Sequence, residues 1–134
     1  MYHTACEASL KLKEISYVNA NGYPAGELKH GPIALLNPRF PVVAFCANHE
    51  TEEKIGSNLM EVKARGAPVL AIASRSQPLI GSISDDLFWL PDTIDEIAPF
   101  ASAVAGQLLA YYIAKELGCD IDQPRNLAKS VTVE

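Results

Sequence analysis

PVVAFCA, residues 41–47, is the stretch that decides the fold of this chain. The run is apolar throughout, without the alternation of a half-exposed strand, which is typical of a strand covered on both faces in a parallel sheet. Further apolar runs at 69–73 (VLAIA) and 87–90 (LFWL) predict two more strands. The core of the chain is therefore predicted to be a buried parallel sheet.

Helical patterns separate and follow these strands. A helix is predicted over about 50–65, with Asn48 as its N-cap, Gly66 at its end, and a buried stripe formed by Ile55, Leu59 and Val62. Strands that alternate with helices indicate βαβ units. We therefore predict a three-layer α/β/α fold, doubly wound and flavodoxin-like, with a mainly parallel sheet of four to five strands.

A second long helix is predicted over about 96–117, and Gly118 is expected to end it. Large apolar residues recur along it at helical spacing, and we expect them to form its apolar side. They are Ile97, Phe100, Val104, Leu108, Tyr111 and Tyr112.

The N-terminal stretch holds titratable side chains that could do chemistry. A helix is predicted over about 3–16, and the spacing of Ala5, Ala8, Leu12 and Ile15 places them on one stripe of it. Glu7, Lys11 and Glu14 lie on another side of it. Spacings of four and three residues bring these charges together, yet a solvated helix face would give the same pattern.

Residues 17–32 link this helix to the sheet. We expect a short strand near 17–21, an irregular loop through Gly26, and a helical turn near Glu27–His30. Ligands of such sheets bind at the carboxyl ends of the strands, which places the loops at 22–30, 47–51 and 74–78 on the functional edge. His30 alone would more often be a packed or capping residue than a catalytic one.

Two other groups at this edge could carry chemistry but are read as structural. Residues 74–77 (SRSQ) could bind phosphate, but the stretch from 74 to 86 is predicted to be loop, without a helix N-terminus to assist. Cys46 and His49 could form a nucleophile and base pair by residue type. Cys46 lies inside an apolar strand, however, where a thiol is normally inert.

Composition narrows the class of protein. The 134 residues fit one domain, with 49% hydrophobic and 20% charged residues. A net charge of −5 and scattered basic residues argue against nucleic acid as the partner, and no apolar run reaches the roughly 20 residues of a membrane span. Three cysteines without a CxxC pair indicate reduced thiols and a cytoplasmic location, and no metal or cofactor is expected.

Two segments resemble a known family. EASLKLKEISYVNANGYPAGELKHGPIALL, residues 7–36, and DQPRNLAKSVTVE, residues 122–134, are similar to the isomerase domain of the glutamine–fructose-6-phosphate aminotransferase (glucosamine-6-phosphate synthase) family. The resemblance covers the whole chain as the second of two sugar-isomerase (SIS) subdomains. It implies that residues 1–121 form this subdomain and residues 122–134 an active-site tail.

The resemblance implies production of glucosamine 6-phosphate from fructose 6-phosphate and glutamine-derived ammonia. The family's isomerisation carboxylate falls on Glu14, the lysine one turn before it on Lys11, and the ring-opening histidine on His30. Lys129 matches the sugar-binding lysine, which can form a Schiff base, and Ala128 matches a backbone contact to the sugar. One positioned base suits such a proton transfer between neighbouring carbons.

The chain also departs from the family and lacks parts of it. The family usually has glycine where Ala8 stands and His-x-Glu where residues 19–21 read NAN, from which we expect altered packing rather than altered chemistry. The phosphate-binding SIS subdomain and the glutaminase domain are missing. We therefore expect a fragment of a homodimeric enzyme, inactive alone. A non-catalytic sugar-phosphate-binding SIS module and an assembly domain are the alternatives.

Overall fold

The computed structural model describes residues 1–125. Helices and turns flank a central sheet, and the predicted alternation of strand and helix is present. The elements are α1 (Tyr2–Lys11), a π-helical turn (Leu12–Ser16), 3-10 turns (Ala25–His30, Pro32–Leu35 and His49–Thr51), β1 (Val42–Phe45), α2 (Glu52–Lys63), β2 (Val69–Ser74), α3 (Pro78–Ile83), β3 (Asp86–Leu90) and α4 (Ala98–Glu116).

The sheet is parallel, with β2 between β1 and β3. Alternate residues of β2 point to opposite faces. Val69, Ala71 and Ala73 pack in one cluster with residues of α2 and α3, whereas Ile72 packs in the other with residues of α1 and α4. The predicted three-layer α/β/α architecture is confirmed.

The prediction of four to five strands was wrong for the described residues, which form three. The short strand expected near 17–21 is absent. Tyr17 ends the preceding helix in the left-handed conformation, at φ 61°, and the chain then folds back on α1. A Cβ at Gly22 would meet the backbone of Cys6 at 3.0 Å, so this loop packs on a helix and pairs with no strand.

The helix after β1 agrees with the sequence pattern. Asn48 caps the 3-10 turn His49–Thr51 that leads into α2, by accepting a hydrogen bond from the Thr51 backbone N–H at 3.1 Å, whereas the N-cap position of α2 itself is Thr51. Leu59 and Val62 of α2 are buried. Gly66 and Gly118 follow the ends of α2 and α4 with positive φ, as predicted for helix-terminating glycines.

The loop predicted between β2 and β3 contains a helix. α3 begins at Pro78, which needs no backbone partner at the first helical position, and buries Ile80 against α2. The sequence of residues 74–86, SRSQPLIGSISDD, did not indicate this helix, because its serines and glycine favour turns.

The long C-terminal helix forms as predicted, but its apolar side does not face the core. Phe100 is 73% exposed and Val104 54% exposed. The buried residues are small and include Ala105, Gly106 and Ala110. Small side chains occupy the inner face because α4 runs close against α1, where large ones would not fit.

None of the helices within residues 1–125 combines the length and the apolar character that a bilayer crossing requires.

Candidate active site

Lys11 and Glu14 form the pair that the sequence predicted. The Lys11 Nζ atom lies 2.7 Å from the Glu14 Oε2 atom and 3.7 Å from the Glu7 Oε1 atom. The pair spans the junction at which α1 widens into the π-helical turn Leu12–Ser16. Such single π turns are rare and frequently occur at functional sites. The sequence pattern indicated a continuous helix and did not reveal this turn.

The π turn is held by the residues around it. Leu12 is buried, and the Ser16 hydroxyl donates a 2.6 Å hydrogen bond to the Leu12 carbonyl. Leu12 and Ser16 lie on the side of the turn that packs on α4, so Glu14 is left on its outer side. The turn therefore fixes the backbone that carries Glu14 while its carboxylate remains accessible.

The protonation of Lys11 depends on the two carboxylates beside it. The hydrogen bond to Glu14 raises the pKa of the Lys11 ammonium above its usual value, and the Glu14 and Glu7 charges add to the effect. Lys11 is therefore protonated at neutral pH. The side chains of Lys11 and Glu14 are 33% and 48% exposed, so the described residues do not enclose the pair.

A contact that the sequence did not predict joins the π-helical turn to Arg125. This residue lies near the start of residues 122–134, and we call its position the root of the tail. The Arg125 guanidinium stacks 3.9 Å from the centre of the Tyr17 ring, and the Arg125 backbone N–H donates to the Tyr17 hydroxyl at 2.9 Å. Tyr17 follows Glu14 by three positions, within the motif KLKEISY. The start of residues 122–134 thus lies beside the turn that carries Glu14. Ala128 and Lys129 lie outside the described residues.

The turn that carries His30 packs in a different layer of the fold from Glu14. This 3-10 turn packs through Leu28 on the α2 side of the sheet, and the neighbouring Lys29 pairs with Glu61 of α2 at 2.8 Å. Glu14 belongs to the layer of α1 and α4. No hydrogen bond joins His30 to Lys11 or Glu14 within residues 1–125.

The loop at 74–77 is held by a carboxylate. The Ser74 hydroxyl and the Ser76 backbone N–H both donate to Asp92. These bonds, that of the Ser74 hydroxyl foremost, lower the pKa of Asp92 below its usual value. Gln77 is fully buried and donates to the Cys46 carbonyl at 2.8 Å. An ionised carboxylate at this point disfavours phosphate binding, which agrees with the structural interpretation of this loop.

His49 links three of the loops at the carboxyl end of the sheet. Its ring nitrogens lie 2.8 Å from Asp95 Oδ1 and 2.8 Å from Ser76 Oγ, the connectivity of a Ser–His–Asp triad. An acyl-transfer site also needs a donor for the developing oxyanion. Here the Ser76 N–H is bonded to the Asp92 carboxylate, so negative charge already occupies that position. We interpret the cluster as a structural tie between the loops.

Cys46 is no nucleophile. Burial, with a smaller contribution from the Glu52 charge, raises the pKa of its thiol to about 12. His49 bonds to Asp95 and Ser76, as described above, and not to this thiol. In residues 1–125, no three His, Cys, Asp or Glu side chains converge as a metal site requires.

Comparison with known proteins agrees with the fold and with the motifs. The SIS domain family matches residues 1–116. The glutamine–fructose-6-phosphate aminotransferase of Chlamydia trachomatis is 51% identical over 134 residues, and that of Thermus thermophilus is 53% identical over 131. These alignments cover 100% and 98% of this chain but only 22% of each relative. The chain thus spans about a fifth of the length of these curated relatives.

Two solved structures share the fold. The C-terminal domain of glucosamine-fructose-6-phosphate aminotransferase from Francisella tularensis superposes with a TM-score of 0.83 at 40% identity, over 92% of this chain and 35% of that one. A protein described as a tagatose-6-phosphate ketose/aldose isomerase from Clostridium novyi NT gives a TM-score of 0.78 at 21% identity, over 96% and 36%, which shows the fold alone. The chain therefore belongs to the SIS-domain family, within which it matches part of the C-terminal domain of a glucosamine-fructose-6-phosphate aminotransferase.

Proposed function

We propose that this chain is the C-terminal part of the isomerase domain of a glutamine–fructose-6-phosphate aminotransferase, with residues 1–121 as its second SIS subdomain. The observation that carries the proposal is the Lys11–Glu14 pair on a π-helical turn, with the root of the tail bound to Tyr17 beside it. The enzyme would make glucosamine 6-phosphate from fructose 6-phosphate and glutamine-derived ammonia, in the cytoplasm.

Glu14 is the proton carrier in this proposal. Once ammonia has formed an imine at C2 of the open sugar, the carboxylate removes a proton from C1 and returns it to C2. The C1 hydroxyl gives up its O–H proton as it becomes the aldehyde, and the imine nitrogen takes up one proton as it becomes the amine. The role requires an ionised carboxylate at the start of the step, and the ammonium group of Lys11 at 2.7 Å favours that form.

The tail would supply the amine that holds the sugar open. Lys129 would form the Schiff base at C2 that ammonia displaces, and the backbone at Ala128 would bind the sugar. The stacking of Arg125 on Tyr17 supports this arrangement, because it holds the start of residues 122–134 against the turn that carries Glu14. Residues 122–134 would thus act as an active-site tail.

His30 would open the sugar ring at the site of a neighbouring subunit. Its turn packs on the α2 side of the sheet, whereas Glu14 lies in the layer of α1 and α4. One chain therefore does not bring the two side chains together. A homodimer in which each His30 reaches the partner's sugar would combine them.

The remaining parts of the site would come from polypeptide outside this chain. A carboxylate that moves a carbon-bound proton works best where water is excluded, whereas the Glu14 side chain is 48% exposed. The first SIS subdomain would bind the phosphate and the glutaminase domain would supply ammonia. We therefore propose that the chain alone is inactive.

The test compares Glu14→Gln with Glu7→Gln in the full-length aminotransferase that carries this segment. Both glutamates contact Lys11 from the same helix face and have similar exposure, 48% and 47%, so Glu7→Gln is a matched control. Formation of glucosamine 6-phosphate should fall at least ~1,000-fold in Glu14→Gln and stay within a few-fold in Glu7→Gln. Near-normal turnover by Glu14→Gln would rule out the proposed role.

A non-catalytic sugar-phosphate-binding module is the second candidate. It is favoured by the separation of His30 from Glu14, since a binding module does not need the two together. Isothermal calorimetry with fructose 6-phosphate separates the candidates. Tight binding by the 134-residue chain, unaffected by Glu14→Gln, would support the binding module.

A further inference from the structure

The π-helical turn deprives the Leu12 carbonyl of the donor that a regular helix would supply. In an α-helix a carbonyl accepts a hydrogen bond from the N–H four residues on, whereas in a π-helix it accepts from the N–H five residues on. The Ser16 N–H, four residues after Leu12, is therefore displaced from this carbonyl. The Ser16 hydroxyl donates to it instead, at 2.6 Å. The side chain of Ser16 thus takes the place of its own backbone donor.

This hydrogen bond is closed off from water. Ser16 is 3% exposed and Leu12 8%, and a buried carbonyl depends on donors from the protein. The Ser16 carbonyl is in turn approached by the Cys119 thiol at 3.9 Å, just beyond α4. The two helices run in the same direction, because Ala8 lies against Gly106 and Ser16 against Cys119. Ser16 therefore connects the turn to the end of α4.

Glu14 stands midway between the two bonded residues. It is two residues after Leu12 and two before Ser16, so the hydrogen bond holds the backbone on both sides of it. Among residues 1–125, Lys11 is the one hydrogen-bond partner of the Glu14 carboxylate. That ion pair is partly exposed, and such pairs hold a side chain weakly. The backbone of the turn, rather than the ion pair, therefore sets the direction of the carboxylate.

The residue after the turn shows that this backbone is constrained. Tyr17 has φ 61°, a left-handed conformation that is uncommon for a bulky side chain. Such a conformation persists where the surroundings fix it, and such residues cluster at functional sites. The Arg125 N–H bonds to the Tyr17 hydroxyl on one side, and the Ser16 bond holds the residue before it. Loss of the Ser16 hydroxyl would leave one of these two supports.

Ser9 provides a matched comparison within α1. It is 8% exposed, and its hydroxyl donates to the Cys6 carbonyl at 2.8 Å. The helix around it is regular. A hydroxyl bond of this kind therefore does not widen a helix by itself. It matters at Ser16 because the backbone there no longer serves the Leu12 carbonyl.

We propose that Ser16 is a positioning residue, whose hydroxyl maintains the π-helical turn and thereby directs the Glu14 carboxylate at the sugar carbon from which it takes a proton. The catalytic part of this inference rests on the proposed function of Glu14. The support of the turn by Ser16 can be measured without any catalytic activity.

Hydrogen exchange in the full-length aminotransferase tests the support of the turn. The peptide that spans residues 12–17, followed by mass spectrometry, should exchange several-fold faster in Ser16→Ala. Ser9→Ala should leave the exchange of this peptide unchanged, because its bond lies in the regular part of α1. Unchanged exchange in Ser16→Ala overturns the proposal.

Kinetics of the same variants test the positioning. Calorimetric titration with glucosamine 6-phosphate counts the folded sites, so that kcat can be expressed per site. Misplacement of a catalytic group by about 1 Å can cost about 100-fold, and we expect kcat of Ser16→Ala to fall between ~10-fold and ~100-fold with little change in KM for fructose 6-phosphate. Ser9→Ala should stay near normal. Equal losses per site in the two variants would indicate a merely structural serine and overturn the proposal.

The conservative variant Ser16→Thr provides the rescue. A threonine hydroxyl can also bond to the carbonyl four residues before it in a helix. Ser16→Thr should therefore recover both the slow exchange and most of kcat. A Ser16→Thr enzyme with normal exchange that is as slow as Ser16→Ala would show that the turn does not govern the reaction.

Glu14→Gln separates this proposal from the proposed function. If Glu14→Gln is inactive and Ser16→Ala has normal kcat, Glu14 keeps its role and Ser16 does not position it. If Glu14→Gln turns over normally, the proposed function fails, and the positioning of a catalytic group by Ser16 fails with it. The expected result is an inactive Glu14→Gln enzyme and a slow Ser16→Ala enzyme with an unchanged number of sites.

Discussion

Gly106 of α4 lies directly against Ala8 of α1, and a Cβ at position 106 would meet the Ala8 Cβ at 2.8 Å. The two parallel helices therefore touch here without room for another carbon atom, and Ala8 itself is only 5% exposed. Ala8 is also the position at which the related family usually carries glycine. The departure at residue 8 therefore falls at a packing contact.

Gly106→Ala should destabilise the chain although alanine is the better helix former. The helix preference is worth roughly 1 kcal/mol, whereas overpacking between two short, rigid side chains costs about 1–3 kcal/mol. The free energy of unfolding, from urea titration, should therefore fall by about 1 kcal/mol. Gly26→Ala, which has no neighbour within 4 Å, is the control. Ala8→Gly combined with Gly106→Ala should recover most of the loss, and failure to do so would refute the steric cause.

The sequence predicted the strands of the sheet, but it did not predict which side of α4 packs against α1. The strands at 41–47, 69–73 and 87–90 are apolar throughout, and that pattern allows one interpretation. The large apolar residues of α4 recur with the right period for a buried face, yet Phe100 and Val104 are exposed. Periodicity identifies an apolar face but not its partner. The small residues on the opposite side, among them Gly106, are the ones that pack against α1.

For the candidate site, the sequence predicted the Lys11–Glu14 contact but neither the π-helical turn nor the contact of Tyr17 with Arg125. The spacing of Lys11 and Glu14 brings the pair together in any helix, and the structure confirms the contact. The π-helical turn was not predictable, because the hydrogen bonds that widen a helix leave no periodic signal. The contact of Tyr17 with Arg125 joins residues far apart in the chain, and only the presence of Tyr17 in the motif KLKEISY hinted at it.

Stability should decline in acid through three aspartates. Hydrogen bonds from Lys63 to Asp85, from Ser74 to Asp92 and from the His49 backbone to Asp95 lower the pKa of each carboxyl. A lowered folded-state pKa adds stability above the unfolded value of about 3.9, which is lost as the pH falls through the folded pKa.

Melting temperatures measured by thermal denaturation at a series of acidic pH values check this prediction. Below about pH 4 the melting temperature should drop in the unaltered chain, and Asp95→Asn should be less stable at pH 7 but show a shallower drop. Asp86→Asn, at an exposed position outside these hydrogen bonds, is the control. A drop of equal steepness in Asp95→Asn would contradict the assignment.

Cys46 should be unreactive in the folded chain. Its thiol has a pKa raised to about 12 by burial, so almost none is thiolate at about pH 8. Cys6 and Cys119 are partly exposed. A disulfide reagent at this pH should label those two and leave Cys46 until denaturant is added. Loss of a fast-reacting equivalent in Cys46→Ser would show instead that the strand exposes this thiol.

The pKa of Lys11 should depend more on Glu14 than on Glu7. The hydrogen bond to Glu14 is the main cause of the raised pKa, and the Glu7 carboxylate lies farther away, at 3.7 Å against 2.7 Å. Glu14→Gln should therefore lower the Lys11 pKa towards its usual value more than Glu7→Gln does. NMR titration of the Lys11 ε-methylene group measures both, and equal shifts would place the lysine midway between the glutamates.

Tyr17 should anchor the root of the tail through two separable contacts. Tyr17→Phe keeps the ring under the Arg125 guanidinium and removes the 2.9 Å hydrogen bond from the Arg125 N–H, whereas Tyr17→Ala removes both. A ring–guanidinium contact is worth about 0.5–1 kcal/mol when exposed. Exchange of the Arg125 amide hydrogen should accelerate several-fold in Tyr17→Phe and further in Tyr17→Ala. In the full-length aminotransferase proposed above, the same order should appear in the loss of glucosamine 6-phosphate formation, since Lys129 follows Arg125 by four residues. Tyr23→Phe is the control, and a Tyr17→Ala enzyme with normal turnover would show that catalysis does not need this anchor.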